Sequence, residues 1–185
     1  MQQLRFHGLG GQGVVLTAHL VGRAAFKSGK WAQSFPFFTT AMRGGMVKAF
    51  ARIDTAPIHL RCFVYEPDLL VLFSKGLLQD DEVWQGLARE GSVLINSQDN
   101  QPPFPQPYSG NIGVLDAEGI ARRTLGRPII STVMAGATVG MLDGVPFECL
   151  QAAISESLSG HLVKNNLEAA QEGYQAVKGL QRSVE

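Results

Sequence analysis

Gly8-Leu9-Gly10-Gly11-Gln12-Gly13 carries the pattern G-x-G-x-x-G close to the start of the chain. It follows a strand-like stretch, Leu4–His7, and precedes a run in which Val14, Ala18, Val21 and Ala25 recur at helical spacing. Glycines in that setting let the backbone turn tightly and approach an anion, while the helix N-terminus presents free N–H groups and positive potential. A second glycine turn, Met42-Arg43-Gly44-Gly45, offers a fixed guanidinium and two exposed amides, a receptor for an anion or a contact for another polypeptide. The candidate binding set is therefore Gly8, Gly10, Gly11, Gln12, Gly13, Arg43, Gly44 and Gly45. Three uses of the first loop stay open: a dinucleotide, some other phosphate or carboxylate, or tight strand–helix packing with no ligand. A dinucleotide site needs an Asp or Glu about 20 residues on to hold the ribose hydroxyls, and Lys30-Trp31-Ala32-Gln33-Ser34-Phe35-Pro36 has none. No Gly-Lys-Ser/Thr follows, so the loop is not a Walker A motif.

Other reactive residue types lack company. His7, His19, His59 and His161 are scattered, with no H-E-x-x-H and no Cys/His cluster, and are expected to be surface or structural. Asp80 and Asp81 read as acids at a helix start, and neither Ser34 nor Ser131 sits in a G-x-S-x-G elbow. The two cysteines, Cys62 and Cys149, cannot supply the four thiolates of an iron–sulfur cluster and read as buried free thiols in a reducing compartment. No catalytic residue and no metal ligand is assigned.

The elements that must position these groups alternate in type. Gly29 fits the left-handed position that ends the first helix. Ala32–Thr40 is apolar and aromatic around Pro36. Phe35, Phe37 and Phe38 cannot all face one core, so one of them is expected to meet a partner surface. In Val47–Asp54, Val47, Ala49, Ala51 and Ile53 alternate with Lys48, Phe50, Arg52 and Asp54, the period of a strand covered on one face. Asp68–Phe73 and Ser92–Ile95 are short uniform apolar runs, which fit strands buried on both faces of a parallel sheet. Asp80–Arg89 is a helix candidate closed by Gly91, and Asn111–Leu115 is a further strand before a short helix from Ala117. Gln101–Pro107 is a stiff proline-rich loop. The remaining helices are Ile129–Leu142, Phe147–Leu158 and Leu162–Gln181, the last with a stripe of Leu162, Asn166, Ala169, Gly173, Val177 and Leu180. Asn166 on that stripe reads as a hydrogen-bonded fixture. The expected fold is α/β: one domain over 1–185, a mostly parallel sheet with helices on both faces, and an antiparallel addition from the alternating strand.

The chain has 185 residues, is 45% hydrophobic and 17% charged, and carries sixteen basic against sixteen acidic residues. That length supports one full core. A formal net charge of zero lacks the field that draws proteins to nucleic acid or acidic membranes, so neither partner is expected. No stretch approaches the ~20 apolar residues of a membrane span, and Met1–His7 holds no apolar signal region, so a cytoplasmic location is expected.

Taken in order, several separated features carry a family likeness. They are Gly8–Gly13 opening a helix, Gln33-Ser34-Phe35-Pro36, Arg43-Gly44-Gly45 leading into an alternating strand, and Pro67-Asp68-Leu69-Leu70-Val71. Gly91–Asn96 follows, and near the end Asn166-Leu167-Glu168-Ala169 with Gly173-Tyr174. The chain resembles the gamma subunit, or gamma domain, of pyruvate:ferredoxin and related 2-oxoacid:acceptor oxidoreductases over nearly its whole length. It departs from the family at Phe37-Phe38-Thr39-Thr40-Ala41-Met42, where a Tyr-Gly-Pro-Glu-Val-like run is common. No contact from that acid carries over.

The resemblance implies a complex that decarboxylates a 2-oxoacid on thiamine diphosphate with Mg, passes electrons through [4Fe–4S] clusters to ferredoxin or an NAD-linked acceptor, and commonly forms an acyl-coenzyme A. It implies alpha-, beta- and delta-type partners that hold those groups. The gamma part would bind no cofactor alone and have no activity alone, with Gly8–Gly13 and Arg43 lining an approach for coenzyme A phosphates or a subunit contact. The competing readings are a free-standing Rossmann-like nucleotide-binding enzyme and a ligand-free scaffold.

Overall fold

The computed structural model describes residues 1–37, 45–100, 102, 104 and 110–178. Six strands form one sheet: β1 (Gln2–Leu9), β2 (Trp31–Phe37), β3 (Met46–Asp54), β4 (Leu69–Leu72), β5 (Ser92–Asn96) and β6 (Ile112–Leu115). The helices are α1 (Val14–Lys27), α2 (Asp81–Trp84), α3 (Ala117–Leu125), α4 (Ser131–Met141), α5 (Phe147–Ser157) and α6 (Leu162–Lys178), and a 3-10 turn covers Lys75–Gln79. Strand order is β2-β3-β1-β4-β5-β6. β1, β4, β5 and β6 run parallel, whereas β3 pairs antiparallel with both β1 and β2. The expected mostly parallel sheet with an antiparallel addition is present.

The apolar runs of β4 and β5 divide between two cores because successive side chains point to opposite faces. Leu69, Val71 and Leu94 join Leu4 and Phe6 under α1 and the C-terminal helices. Leu70, Leu72, Val93 and Ile95 pack with Leu77, Leu78 and Val83 on the opposite face. Each such fully buried side chain is stabilised by roughly 1.5–3 kcal/mol relative to exposure. Helices lie on both faces, unequally: among the described residues the second face has the 3-10 turn and the single turn of α2, with Phe104 beside Trp84.

Three elements depart from the sequence expectation or go beyond it. Trp31–Phe37 is a regular strand despite Pro36, because β2 lies at the sheet edge, where a missing N–H costs no ladder bond. The Asp80–Arg89 helix is reduced to Asp81–Trp84: Asp80 caps it by accepting from the Glu82 amide, but Gly86 takes φ 74° with its Cα packed against the Tyr65 carbonyl. The buried Arg5 also draws the carbonyls of Val83 and Gln85 at 2.8 and 2.6 Å, so that backbone serves a side chain instead of a helix. Third, β3 is covered on both faces. Ala49, Ala51 and Ile53 face α1, while Phe50 and Arg52 are buried under the chain at 62–63.

α4 and α6 form the tightest helix pair, for which small residues are required. An added Cβ at Gly136 would overlap the Ala170 carbonyl, and one at Gly173 would overlap that of Val133. Asn166 is half-buried and bonded through both amide atoms, accepting from Thr132 Oγ1 at 2.9 Å and donating to the Leu162 carbonyl at 2.8 Å. Among the described residues no helix is long and apolar enough to cross a membrane.

Candidate functional site

The glycine loop stands at the C-terminal edge of the sheet, where β1 lies between antiparallel β3 and parallel β4. The β1–β3 register pairs Leu9 with Met46, which brings Gly45 alongside the first glycine turn. The Gly10 amide donates to the Gly45 carbonyl at 3.1 Å and closes that junction. Gln12 staples the loop to the sheet. Its Oε1 accepts from the Leu9 amide at 2.7 Å and its Nε2 points to the Phe73 carbonyl at 3.5 Å, at the end of β4. Asn96 at the end of β5 donates to the same carbonyl at 3.1 Å and accepts from the Ala117 amide at 2.9 Å.

The glycines divide by role. A Cβ on Gly8 would lie 2.9 Å from Phe73 Cβ and 2.5 Å from Val14 Cγ2, so this position serves close packing. Gly13 has φ 82°, and its added Cβ would lie 2.7 Å from Ser131 Cβ at the start of α4. Gly11 has φ 96° with nothing within 4 Å of an added Cβ, so protein packing does not demand it beyond its backbone angle. Gly13 is the N-cap of α1 and offers no side-chain cap, and α4 likewise begins without one. Thr17 Oγ1 ties the two helix starts together, donating to Ser131 O at 2.9 Å and Gly13 O at 3.1 Å. Two helix N-termini thus converge on one loop, the arrangement that favours an anion. Arg43 and Gly44 lie outside the described residues; Gly8, Gly10, Gly11, Gln12, Gly13 and Gly45 are brought together.

A dinucleotide reading meets a topological obstacle. In the dinucleotide fold the strand after the first helix runs parallel beside the first, and its end carries the ribose-binding acid. Here the chain after α1 enters edge strand β2, separated from β1 by antiparallel β3.

A second polar constellation lies on the other sheet face, and sequence reasoning missed it. His7 is 1% exposed, and neither ring nitrogen has a hydrogen-bond partner. Burial, then the Arg5 and Lys48 charges, push its pKa down to about 3, so the ring is neutral. Arg5 gives its terminal nitrogens to the carbonyls of Tyr65, Val83 and Gln85, while its Nε is buried and unpartnered. Burial holds the Arg5 pKa below the usual guanidinium value, with Glu82 opposing. Lys48 pairs with Glu82 at the rim. Arg52, fully buried, donates to the carbonyls of Cys62 at 2.7 Å and Phe63 at 3.0 Å and to Gln3 Oε1 at 3.1 Å. Phe35 stacks near its guanidinium and, with Phe37, Phe50 and Phe63, forms an aromatic cluster. Phe35 and Phe37 therefore share one face; Phe38 lies outside the described residues.

One further expectation changes. Cys62 is exposed and Cys149 half-buried, not buried thiols: Cys62 lies in a surface strap, its carbonyl accepting from Arg52 at 2.7 Å and its sulfur 3.5 Å from the same nitrogen. His7 is the buried histidine, whereas His19, His59 and His161 are exposed. Among the described residues no group of three His, Cys, Asp or Glu could hold a metal ion.

The family model for pyruvate ferredoxin/flavodoxin oxidoreductase matches residues 3–176, and the chain belongs to that family. Pyruvate synthase subunit PorC of Methanothermobacter thermautotrophicus is 41% identical over 180 residues, covering 97% of this chain and 98% of that one. The common gamma subunit of pyruvate/ketoisovalerate oxidoreductases of Thermococcus kodakarensis is 40% identical, with 94% and 96% covered. The crystal structure of pyruvate oxidoreductase subunit PORC of Thermotoga maritima superposes with a TM-score of 0.81 at 29% identity, covering 94% of this chain and 95% of that one. The 2-oxoglutarate:ferredoxin oxidoreductase of Magnetococcus marinus, solved with 2-oxoglutarate, coenzyme A and succinyl-CoA, shares the fold at TM-score 0.80. It is 17% identical, and this chain matches 31% of its length.

Proposed function

We propose that the chain is the gamma-type subunit of a 2-oxoacid:ferredoxin oxidoreductase complex and that it supplies an anion-binding edge rather than reacting groups. One observation supports the reading: a hydrogen bond of 3.1 Å joins Gly10 of the first glycine turn to Gly45 beside the uncapped start of α1. Free amides, two helix N-termini and the Arg43 guanidinium suit phosphate groups, and coenzyme A is the phosphate-bearing co-substrate of this chemistry. Gly11, Gly13 and Arg43 would hold it; its thiol would accept the acyl group elsewhere in the complex. This chain's part is to bind and orient, which lowers the entropic barrier to a step performed on another subunit.

Thiamine diphosphate, Mg and the [4Fe–4S] clusters belong to alpha-, beta- and delta-type partners in this proposal. The whole sequence contains two cysteines, too few for one cluster. A cytoplasmic location follows from the same reading. Replacing Arg43 with Ala in the assembled complex tests it. The apparent KM for coenzyme A is expected to rise about tenfold or more, the loss of one charge-assisted contact of roughly 1.5–3 kcal/mol. Unchanged coenzyme A dependence together with unchanged subunit association would end the proposal.

A further inference from the structure

Between β3 and β4 the chain at 55–68 forms neither helix nor strand, yet its backbone is held from beneath by three strands. Gln33 Nε2 on β2 donates to the Ile58 carbonyl at 3.0 Å. Arg52 on β3 donates to the carbonyls of Cys62 at 2.7 Å and Phe63 at 3.0 Å, and Arg5 on β1 donates to that of Tyr65 at 3.1 Å. Both arginines are buried. A trans peptide sets its C=O and N–H on opposite sides, so carbonyls drawn inward turn the following amides outward. Those amides belong to His59, Phe63 and Glu66, all exposed residues, and to the buried Val64. Among the described residues no amide from Ile58 to Glu66 meets an acceptor.

The large side chains this strap displays are apolar. Leu60 is 43% exposed, Phe63 40% and Tyr65 66%, and Trp31, 51% exposed, shares the face of Gln33 and Phe35 on β2. Phe63 packs edge-on against Phe37 at 4.9 Å and meets Tyr65 at 6.4 Å, beside a cavity of about 440 Å³. Exposed apolar patches mark contact surfaces, and anchors fixed before binding lose little freedom when covered.

The outward polar groups select the partner, because they are donors. They are the strap amides and the exposed Arg61 guanidinium, which has no carboxylate within ion-pair distance among the described residues. The strap's own acid, Glu66, stands at its opposite end, and Glu82 is committed to Lys48. The carbonyls of Ile58, Cys62, Phe63 and Tyr65 are already taken from below. A second copy related by a two-fold axis would set amides against amides and leave those donors unmet. We infer that the strap at 58–66 docks an extended segment of another subunit of the complex. That segment brings backbone carbonyls to the strap amides, a carboxylate to Arg61, and apolar side chains to Leu60, Phe63 and Tyr65. Main-chain bonds then give affinity and the side-chain contacts give specificity. Such a partner exists only if the chain is a gamma-type subunit, as proposed.

Cys62, exposed in the middle of the strap, gives a readout that needs no substitution. Its alkylation by iodoacetamide, followed peptide by peptide by mass spectrometry, is compared between the purified full-length chain and the assembled complex. The rate is expected to fall about tenfold or more on assembly, because a docked segment excludes solvent from the contact. Tyr65→Asp and Arg61→Glu alter exposed side chains, so the urea midpoint of the isolated chain should stay at the wild-type value. Each should weaken assembly with the partner subunits about tenfold, by repelling a carboxylate or by losing an apolar anchor. Cys62 alkylation as fast in the intact complex as in the chain alone, or wild-type assembly by both variants, overturns this inference and leaves the gamma-type assignment standing. A dimer of the purified chain that Tyr65→Asp dissolves gives the surface to a second copy and also overturns it. Failure of the wild-type chain to assemble with alpha-, beta- and delta-type subunits overturns both.

Discussion

Replacing Gly11 and Gly13 separately by Ala distinguishes packing from ligand binding within one loop. Both have positive φ, 96° and 82°, so each substitution forces a side chain into backbone space that costs roughly 1–2 kcal/mol. Only Gly13→Ala adds a clash, because its Cβ would sit 2.7 Å from Ser131 Cβ where carbon atoms prefer about 3.5–4.0 Å. Relieving that overlap means shifting α1 against α4, an overpacking cost of about 1–3 kcal/mol. Gly13→Ala is therefore expected to lose about 2–5 kcal/mol and Gly11→Ala about 1–2, read from urea denaturation with unchanged slope. In the assembled complex the order reverses in meaning. Gly11→Ala, with open space around it, should raise the KM for coenzyme A in a complex that remains intact. Equal destabilisation by the two changes would refute the packing argument. An intact Gly11→Ala complex with native coenzyme A kinetics would refute the binding argument.

Three other outcomes follow from the geometry. Between pH 6.5 and 3 the unfolded chain carries a proton on His7 that the native state refuses, so stability should fall as pH drops through this range, by up to about 1.4 kcal/mol per unit. Urea titrations at pH 6.5 and 5.0 should show this fall, and His7→Gln should flatten it. Arg52→Leu leaves the carbonyls of Cys62 and Phe63 without their donor, and a loss of about 2–4 kcal/mol is expected, with trypsin cutting after Arg61 faster than in wild type. Gly136→Ala should lower stability by about 3 kcal/mol, measured in urea, because the new methyl overlaps backbone of α6 that cannot rotate aside.

Much of the architecture could be read from residue order. The uniform runs Asp68–Phe73 and Ser92–Ile95 need apolar surroundings on both sides, which only an interior parallel strand provides, and both became β4 and β5. Alternation in Val47–Asp54 identified the strand, but not that its second face is also covered. Lys48, Phe50, Arg52 and Asp54 look solvent-facing until the Cys62 and Phe63 carbonyls are seen to fold over Arg52. The meeting of Gly10 with Gly45 depends on an antiparallel register between distant segments, a relation that spacing along the chain does not encode. His7 was read as one of four scattered histidines. Its strand position, two residues after Arg5 and opposite Lys48, was the available signal, and it acquires meaning only once the β1–β3 pairing is known.

The proposed function puts the reacting groups on other subunits of the complex. Ferredoxin reduction by the purified chain alone, supplied with 2-oxoacid, coenzyme A, thiamine diphosphate and Mg, is the most direct measurement. No reduction is expected until the partner subunits are added, and steady turnover before their addition would contradict the account.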